Sequence, residues 1–293
     1  MQADEALETA AVYSVSHLGF DSDRWQLRPF RAPHHSASAV ALVGGGARVG
    51  PGEISLAHNG VLFLDELSEF SRQVLDQLRE PLESGSVLIA RAGRTARYPC
   101  RFQWVSAMNP CGCGYHGDRS GRCRCTVEQV RQHQSRLSGP LIDRMDLHVR
   151  LQSVDPAEVH TKKSCLETSA EIKSRVCRAR ECQTARACNI NAHLTQSELQ
   201  QVAPLRHETQ LFLGEAGSQL GFSVRGHYRV LRVARTIADL AGTAALTRVP
   251  IGAKRVCVRG HRASSAGKAG QEACAHAHIR YGRRSSCLGA SDG

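Results

Sequence analysis

No apolar run in this chain approaches the roughly 20 residues that cross a bilayer, so a membrane span is not expected. The first nine residues, Met1 to Thr9, are acidic and lack the basic-then-apolar order of a secretory signal. No internal repeat is visible. Wholesale disorder, collagen-like repeats and a coiled-coil rod are excluded by 41% apolar and 22% charged residues over a length of 293, enough for one large domain or two small ones. The 12 cysteines are dispersed or sit in C-x-C pairs, which does not resemble a disulfide scaffold, and a cytoplasmic, reducing location is expected.

What is present is uneven charge. Residues 246–293 hold nine Lys/Arg against Glu272 and Asp292, which is +7 of the net +11. The overall basicity is therefore weak evidence for nucleic-acid binding, because a basic tail can hold polyanions nonspecifically or simply be solvated. The tail also shows no helical or strand period, so the folded part is expected to end near residue 243.

Residues 4–19 read as a short helix and 25–52, rich in Pro, Gly and His, as irregular or hairpin structure. Val61-Leu62-Phe63-Leu64 reads as a parallel strand buried on both faces. Phe70, Val74, Leu75, Leu78 and Leu82 then recur at helical spacing, with Ser68 as a cap and Gly85 as a stop. Residues 86–91 and 95–102 read as a hairpin around Ala92-Gly93-Arg94, and Phe102 to Met108 as a second buried strand. Thr126 with Gln129 forms a capping box that opens a helix to about Leu137, and Thr195 with Glu198 forms another. Leu147, Val149 and Leu151 alternate as a strand would. Beyond Asp155 the pattern is helical, with Val230, Val233, Ile237 and Leu240 on one face and Gly242 as the stop.

The most informative segment is Gly60 to Glu66. A carboxylate at the end of a buried strand lies at the carboxyl edge of a sheet, where α/β ligands bind. Asp65 there can hold Mg²⁺ through water and Glu66 can polarise an attacking water, though two acids can also just open a solvated turn. The second strand ends near Asn109, whose amide can orient that water, so two strands would deliver one hydrolytic constellation.

These residues, with Arg28–His35, Ala41–Gly46, Pro51–Gly60, Ala107–Cys111, Leu137–His148 and Val233–Leu240, resemble the Mg-chelatase-like AAA+ ATPases of the ComM/YifB competence type over about residues 1–243. The resemblance implies an α/β fold. Residues 1–152 would be a partial AAA+ parallel-sheet core lacking its first strand and phosphate loop, 153–243 an all-helical lid, and 244–293 a divergent basic tail. It implies ATP and Mg²⁺ as cofactors, a homohexameric ring, and DNA remodelling during transformation. Asp65 and Glu66 look like the Walker B pair, Asn109 like sensor 1, Arg144 like an arginine finger acting on a neighbouring subunit, and Arg225 like sensor 2. An always-charged guanidinium that forks onto phosphate oxygens suits the last two roles.

The family's phosphate loop, G-x-x-x-x-G-K-[ST], is absent. None of the five lysines follows such a loop, so weak or absent ATP binding by this chain alone is expected. A non-hydrolysing DNA-binding or assembly subunit is the alternative reading. Arg91, Arg94, Arg97 and Arg101 lie in residues 86–102 with no acid, and this hairpin could track a phosphate backbone or pair with acids elsewhere. By resemblance it is the hairpin before sensor 1, with Arg91 and Arg94 toward DNA. Finally, Cys111-x-Cys113 and Cys123-x-Cys125 could close a tetrahedral Zn²⁺ site, with His116 able to replace one ligand, or remain unligated thiols. His34 and His35 are given no catalytic role.

Overall fold

The computed structural model describes residues 1–46, 49–91, 93–118, 121–149, 151, 167–220, 223–244 and 246. Two compact units divide the chain. One spans Met1–Met145, and the other contains Asp146–Leu151 and the described residues from 167 onward.

In chain order the first unit holds α1 (Ala3–Ser14), β1 (Phe30–Arg31), α2 (Ala39–Val43), β2 (Gly44–Gly45), β3 (Gly50–Pro51), α3 (Glu53–Leu56) and β4 (Val61–Leu64). It continues through α4 (Arg72–Asp76), α5 (Arg79–Ser84), β5 (Ser86–Arg91), β6 (Arg94–Pro99), β7 (Gln103–Ser106), α6 (Val127–Gln134) and α7 (Gly139–Ile142). β1, β4 and β7 form a parallel sheet in that order, which makes the fold α/β as expected. Leu62 and Leu64 of β4 are fully buried and pack with Leu42, Ile54, Leu75 and Leu141. Each such leucine gains about 1.5–3 kcal/mol on leaving water, an upper bound given a partly compact unfolded chain.

β4 is buried on one face only, which corrects the two-faced expectation. Phe63 points the other way and stacks at 6.1 Å on Phe30, itself 64% exposed. Gly60 is required where β4 starts beside β1. A Cβ there would sit 2.0 Å from the Pro29 carbonyl oxygen, and the Val61 N–H donates to that same oxygen at 2.8 Å.

The helix expected from Ser68 to Leu82 is broken into a 3-10 turn (Leu67–Glu69), α4 and α5. Pro81 explains the break before α5, because it has no N–H and its ring would clash with the Gln77 carbonyl. Ser71, not Ser68, caps α4 by accepting the Val74 N–H, while Gly85 ends α5 at φ 68° as expected. The 86–102 hairpin forms, with Arg91 directly opposite Arg94, and Thr126 and Gln129 form the capping box of α6. Leu147, Val149 and Leu151, expected as a strand, are exposed and in none. Alternation alone makes no strand without a hydrogen-bonding neighbour.

The second unit holds α8 (Ser169–Ala187), α9 (Gln196–Val202), α10 (His207–Leu220) and α11 (Val224–Leu240). Capping boxes start α8 (Thr168 with Glu171, unread in the sequence) and α9 (Thr195 with Glu198). The buried face of α11 is Val230, Leu231, Ala234 and Ala238, one step round from the expected Val233, Ile237 and Leu240. Sequence reading missed the reason. Arg235 and Asp239 are buried on that face as a pair at 2.8 Å, and Arg186 of α8 forks onto the same carboxylate at 2.8 and 2.9 Å. Asn191 donates to it as well, and together these bonds hold Asp239 below the usual carboxylate range although burial pushes it upward. Gly242 stops the helix at φ 68° as expected. Leu246, placed by sequence in the tail, is buried in this core, so structure continues past the expected boundary at 243; apart from Ala244 and Leu246, the tail lies outside the described residues. No helix among the described residues is long and apolar enough to cross a membrane.

Candidate active site

β4 and β7 run in register from Val61 opposite Gln103 to Leu64 opposite Ser106. Their bonding continues past the strand ends: Ala107 N–H donates to the Leu64 carbonyl at 3.0 Å, and Leu67 N–H to the Ala107 carbonyl at 2.9 Å. The Asp65-Glu66 bend and the segment Ala107–Asn109 therefore leave the sheet side by side at its carboxyl edge. Asp65, Glu66 and Asn109 are all exposed there, above the buried Leu64 and Leu67.

Glu66 sits in the left-handed region at φ 49° and ψ 47°, a strained conformation for a residue with a side chain. Its N–H donates to Asp65 Oδ1 at 2.9 Å, and its Oε2 lies 3.1 Å from His35 Nδ1. His35 follows β1, the other neighbour of β4, and its ring lies 4.0 Å from that of His34 and edge-on to Phe70. Sequence reasoning gave His35 no role. The available signal was its position just beyond a strand at the same sheet edge. The Asn109 carbonyl accepts from His133 Nε2 at 3.1 Å and the Pro110 carbonyl from Gln134 at 3.4 Å, so α6 fixes the backbone under the Asn109 side chain.

The other expected site residues lie in different settings. Arg144 is mostly buried, pairs with Glu83 of its own chain, and donates to the Pro140 carbonyl at 2.5 Å. Arg225 is exposed in the first turn of α11, in the second unit. Arg91 and Arg94 face each other, exposed, at the hairpin tip, and no carboxylate among the described residues pairs with them or with the exposed Arg97. Opposed like charges cost stability unless an anion joins them.

Cys111, Cys113, Cys123 and Cys125 bring their sulfurs within 4.8 Å of one another, a group that could hold a metal ion. His116, the alternative ligand, is exposed and outside this group. Backbone N–H groups of Tyr115 and Arg124 hold the Cys113 thiol down to about 6, whereas burial pushes Cys100 up to about 12. Deeper in the unit, His58 accepts the Arg101 N–H at Nδ1 and pairs with Glu8 at 3.1 Å through Nε2. Burial keeps its imidazole below its ordinary value, against the pull of Glu8.

Residues 1–159 match the family model for magnesium chelatase, subunit ChlI, and residues 166–253 match that for the ChlI C-terminal region. The chain is 47% identical to competence protein ComM of Haemophilus influenzae over 81% of its own length and 46% of that protein's. It is 48% identical to YifB of Escherichia coli over 84% and 48%. Identity to the magnesium-chelatase 38 kDa subunit of Cereibacter sphaeroides is 24%, over 76% and 60%. The chain thus spans about half the length of the first two relatives. With both family models matched in order, and a parallel sheet followed by helices, the chain belongs to the Mg-chelatase-like AAA+ family, in its ComM/YifB branch.

Proposed function

We propose that the first unit supplies the water-activating edge of a Mg²⁺-dependent AAA+ ATPase that remodels DNA as a homohexameric ring in the cytoplasm. The observation that supports this best is the continued bonding of β4 and β7, which delivers Asp65, Glu66 and Asn109 to one exposed edge. Two carboxylates and a carboxamide offer hard oxygen donors that fit Mg²⁺. When bound, the cation neutralises charge on the phosphates. Asp65 would hold it through water, as the Walker B aspartate of this reading. Glu66, fixed by its backbone and by His35, would accept the proton of the attacking water, and Asn109 would orient that water. Arg144 would exchange Glu83 for a phosphate bound by the next subunit, and Arg225 would meet the phosphates from the helical unit.

Grip on the phosphates is the part these residues do not supply, since the sequence holds no G-x-x-x-x-G-K-[ST]. Titration calorimetry with Mg-ATP is expected to show no micromolar binding to the chain by itself. Joined in frame behind a phosphate-loop segment of the family, it is expected to hydrolyse ATP, with Glu66→Gln lowering turnover at least about 100-fold. Equal turnover in the two proteins contradicts the assignment of Glu66.

The name of the Haemophilus relative ties that protein to competence, and we extend the tie to DNA processing during transformation here. The unpaired arginine tip supports a DNA contact at Arg91 and Arg94. Arg91→Glu with Arg94→Glu should weaken DNA binding and lower its salt slope by about 1–2; unchanged binding refutes the contact. The same tip is also compatible with the second reading, a DNA-binding or assembly subunit that does not hydrolyse ATP. Salt-dependent DNA binding with no turnover in either protein would select it.

A further inference from the structure

The loop between β7 and α6, residues 107–126, contains no helix or strand among its described residues, and only Cys111 in it is fully buried. An irregular stretch of this length with so little buried side chain calls for another tie. What converges inside it is sulfur. We propose that Cys111, Cys113, Cys123 and Cys125 bind one Zn²⁺ as four thiolates, a structural site that clamps the loop carrying Asn109.

Three of the sulfurs have the spacing that the ion requires, and that of Cys125 lies within 4.8 Å of them. A tetrahedron with Zn–S bonds of about 2.3 Å has edges of about 3.8 Å. The sulfurs of Cys111 and Cys113 lie 3.3 Å apart, those of Cys113 and Cys123 3.7 Å, and those of Cys111 and Cys123 3.9 Å. None of these cysteines is in a disulfide. Gly114, Gly117 and Gly121 have left-handed φ values of 82°, 81° and 65°, and these turns bring one C-x-C pair back to the other. Backbone N–H groups of Tyr115 and Arg124 reach the Cys113 sulfur, the outer-shell contact that steadies metal-bound thiolates.

Binding converts four thiols and Zn²⁺ to a tetrathiolate of charge −2 and releases four protons. The same loop supplies compensating positive charge in Arg124, while Arg122 pairs with Asp118 at 3.3 Å. Four sulfur donors in a tetrahedron select zinc or iron, and zinc, without redox chemistry, suits a closed structural site. The circuit reaches the sheet edge directly. Ala107 bonds to Leu64 and Leu67, His133 and Gln134 hold the Asn109 and Pro110 carbonyls, and Cys111 comes next. The second C-x-C pair runs straight into Thr126, the cap of the helix that carries His133 and Gln134. The metal assignment does not depend on the ATPase reading.

The test uses the full chain, purified with reductant and without chelator. Elemental analysis should find about one zinc per chain and no iron. Cys123→Ser with Cys125→Ser should lose that zinc, and Cys182→Ser, at an exposed position of α8, should keep it. Should the double variant not fold, differential alkylation of the unaltered chain decides. Cys111, Cys113, Cys123 and Cys125 should resist labelling until a chelator removes the zinc. Absence of zinc, iron in its place, zinc retained in the double variant of a folded chain, or labelling of these four at the same rate before and after chelation overturns the site. Hydrogen exchange at residues 107–113 should rise on zinc release; unchanged exchange overturns the clamp and leaves the metal site standing.

Discussion

Among the described residues of the first unit no Asp, Glu, Lys or Arg is fully buried, and acids gather instead at an exposed strand edge. The second unit does the reverse, burying Asp239 and Arg235 on the inner face of α11 with Arg186 closing on them. Polarity in the first unit is placed where a ligand can meet it. In the second it selects one helix packing out of the several that an Ala- and Leu-rich face would allow, at the risk of heavy loss when one partner goes.

That contrast can be broken from its stronger side first. Asp239→Ala leaves Arg235 buried without its carboxylate and should cost about 3–5 kcal/mol in urea unfolding of the second unit. A loss under 1 kcal/mol, about the worth of an exposed pair, would show that the network is not a packing determinant. In the first unit, Gly60→Ala drives a methyl into the Pro29 carbonyl and should cost about 3 kcal/mol, read as a lowered urea midpoint. Glu66→Gly should act oppositely, adding about 1 kcal/mol by relieving the left-handed backbone while abolishing any hydrolysis. Lost stability would mean that Glu66 is held there for packing.

The smallest expected effect is on pH. His58 has its folded value depressed by burial, so the unfolded chain, titrating near its ordinary value of about 6.5, takes the proton first. Above that pH both states are neutral and the contribution is fully present. It falls away as pH drops from the unfolded value through the folded one. Imidazole NMR should place His58 below 6.5, and a higher value would reverse the sign.

Short, local signals were the most legible in the sequence. The capping boxes at Thr126 and Thr195, the Gly85 and Gly242 stops, the hairpin and the β4 strand follow from residues a few positions apart. The edge joining Asp65, Glu66 and Asn109 was legible because parallel strands must end on one side. What escaped depends on tertiary partners. Phe63 meets an exposed face that periodicity cannot show, and Pro81 divides a helix whose apolar spacing runs straight through it. The burial of Arg235 and Asp239 depends on Arg186, 49 positions before Arg235, which closes on the same carboxylate and which no local pattern announces. His35 gained a place only when β1 was found beside β4.

A double-mutant cycle on Glu66 and Asn109, read as ATP turnover of the chain joined to a phosphate loop, tests the shared edge most directly. If both side chains serve one water, Glu66→Gln with Asn109→Ala together should lose no more than the worse single change. Losses that multiply would mean that the two strands serve separate ends.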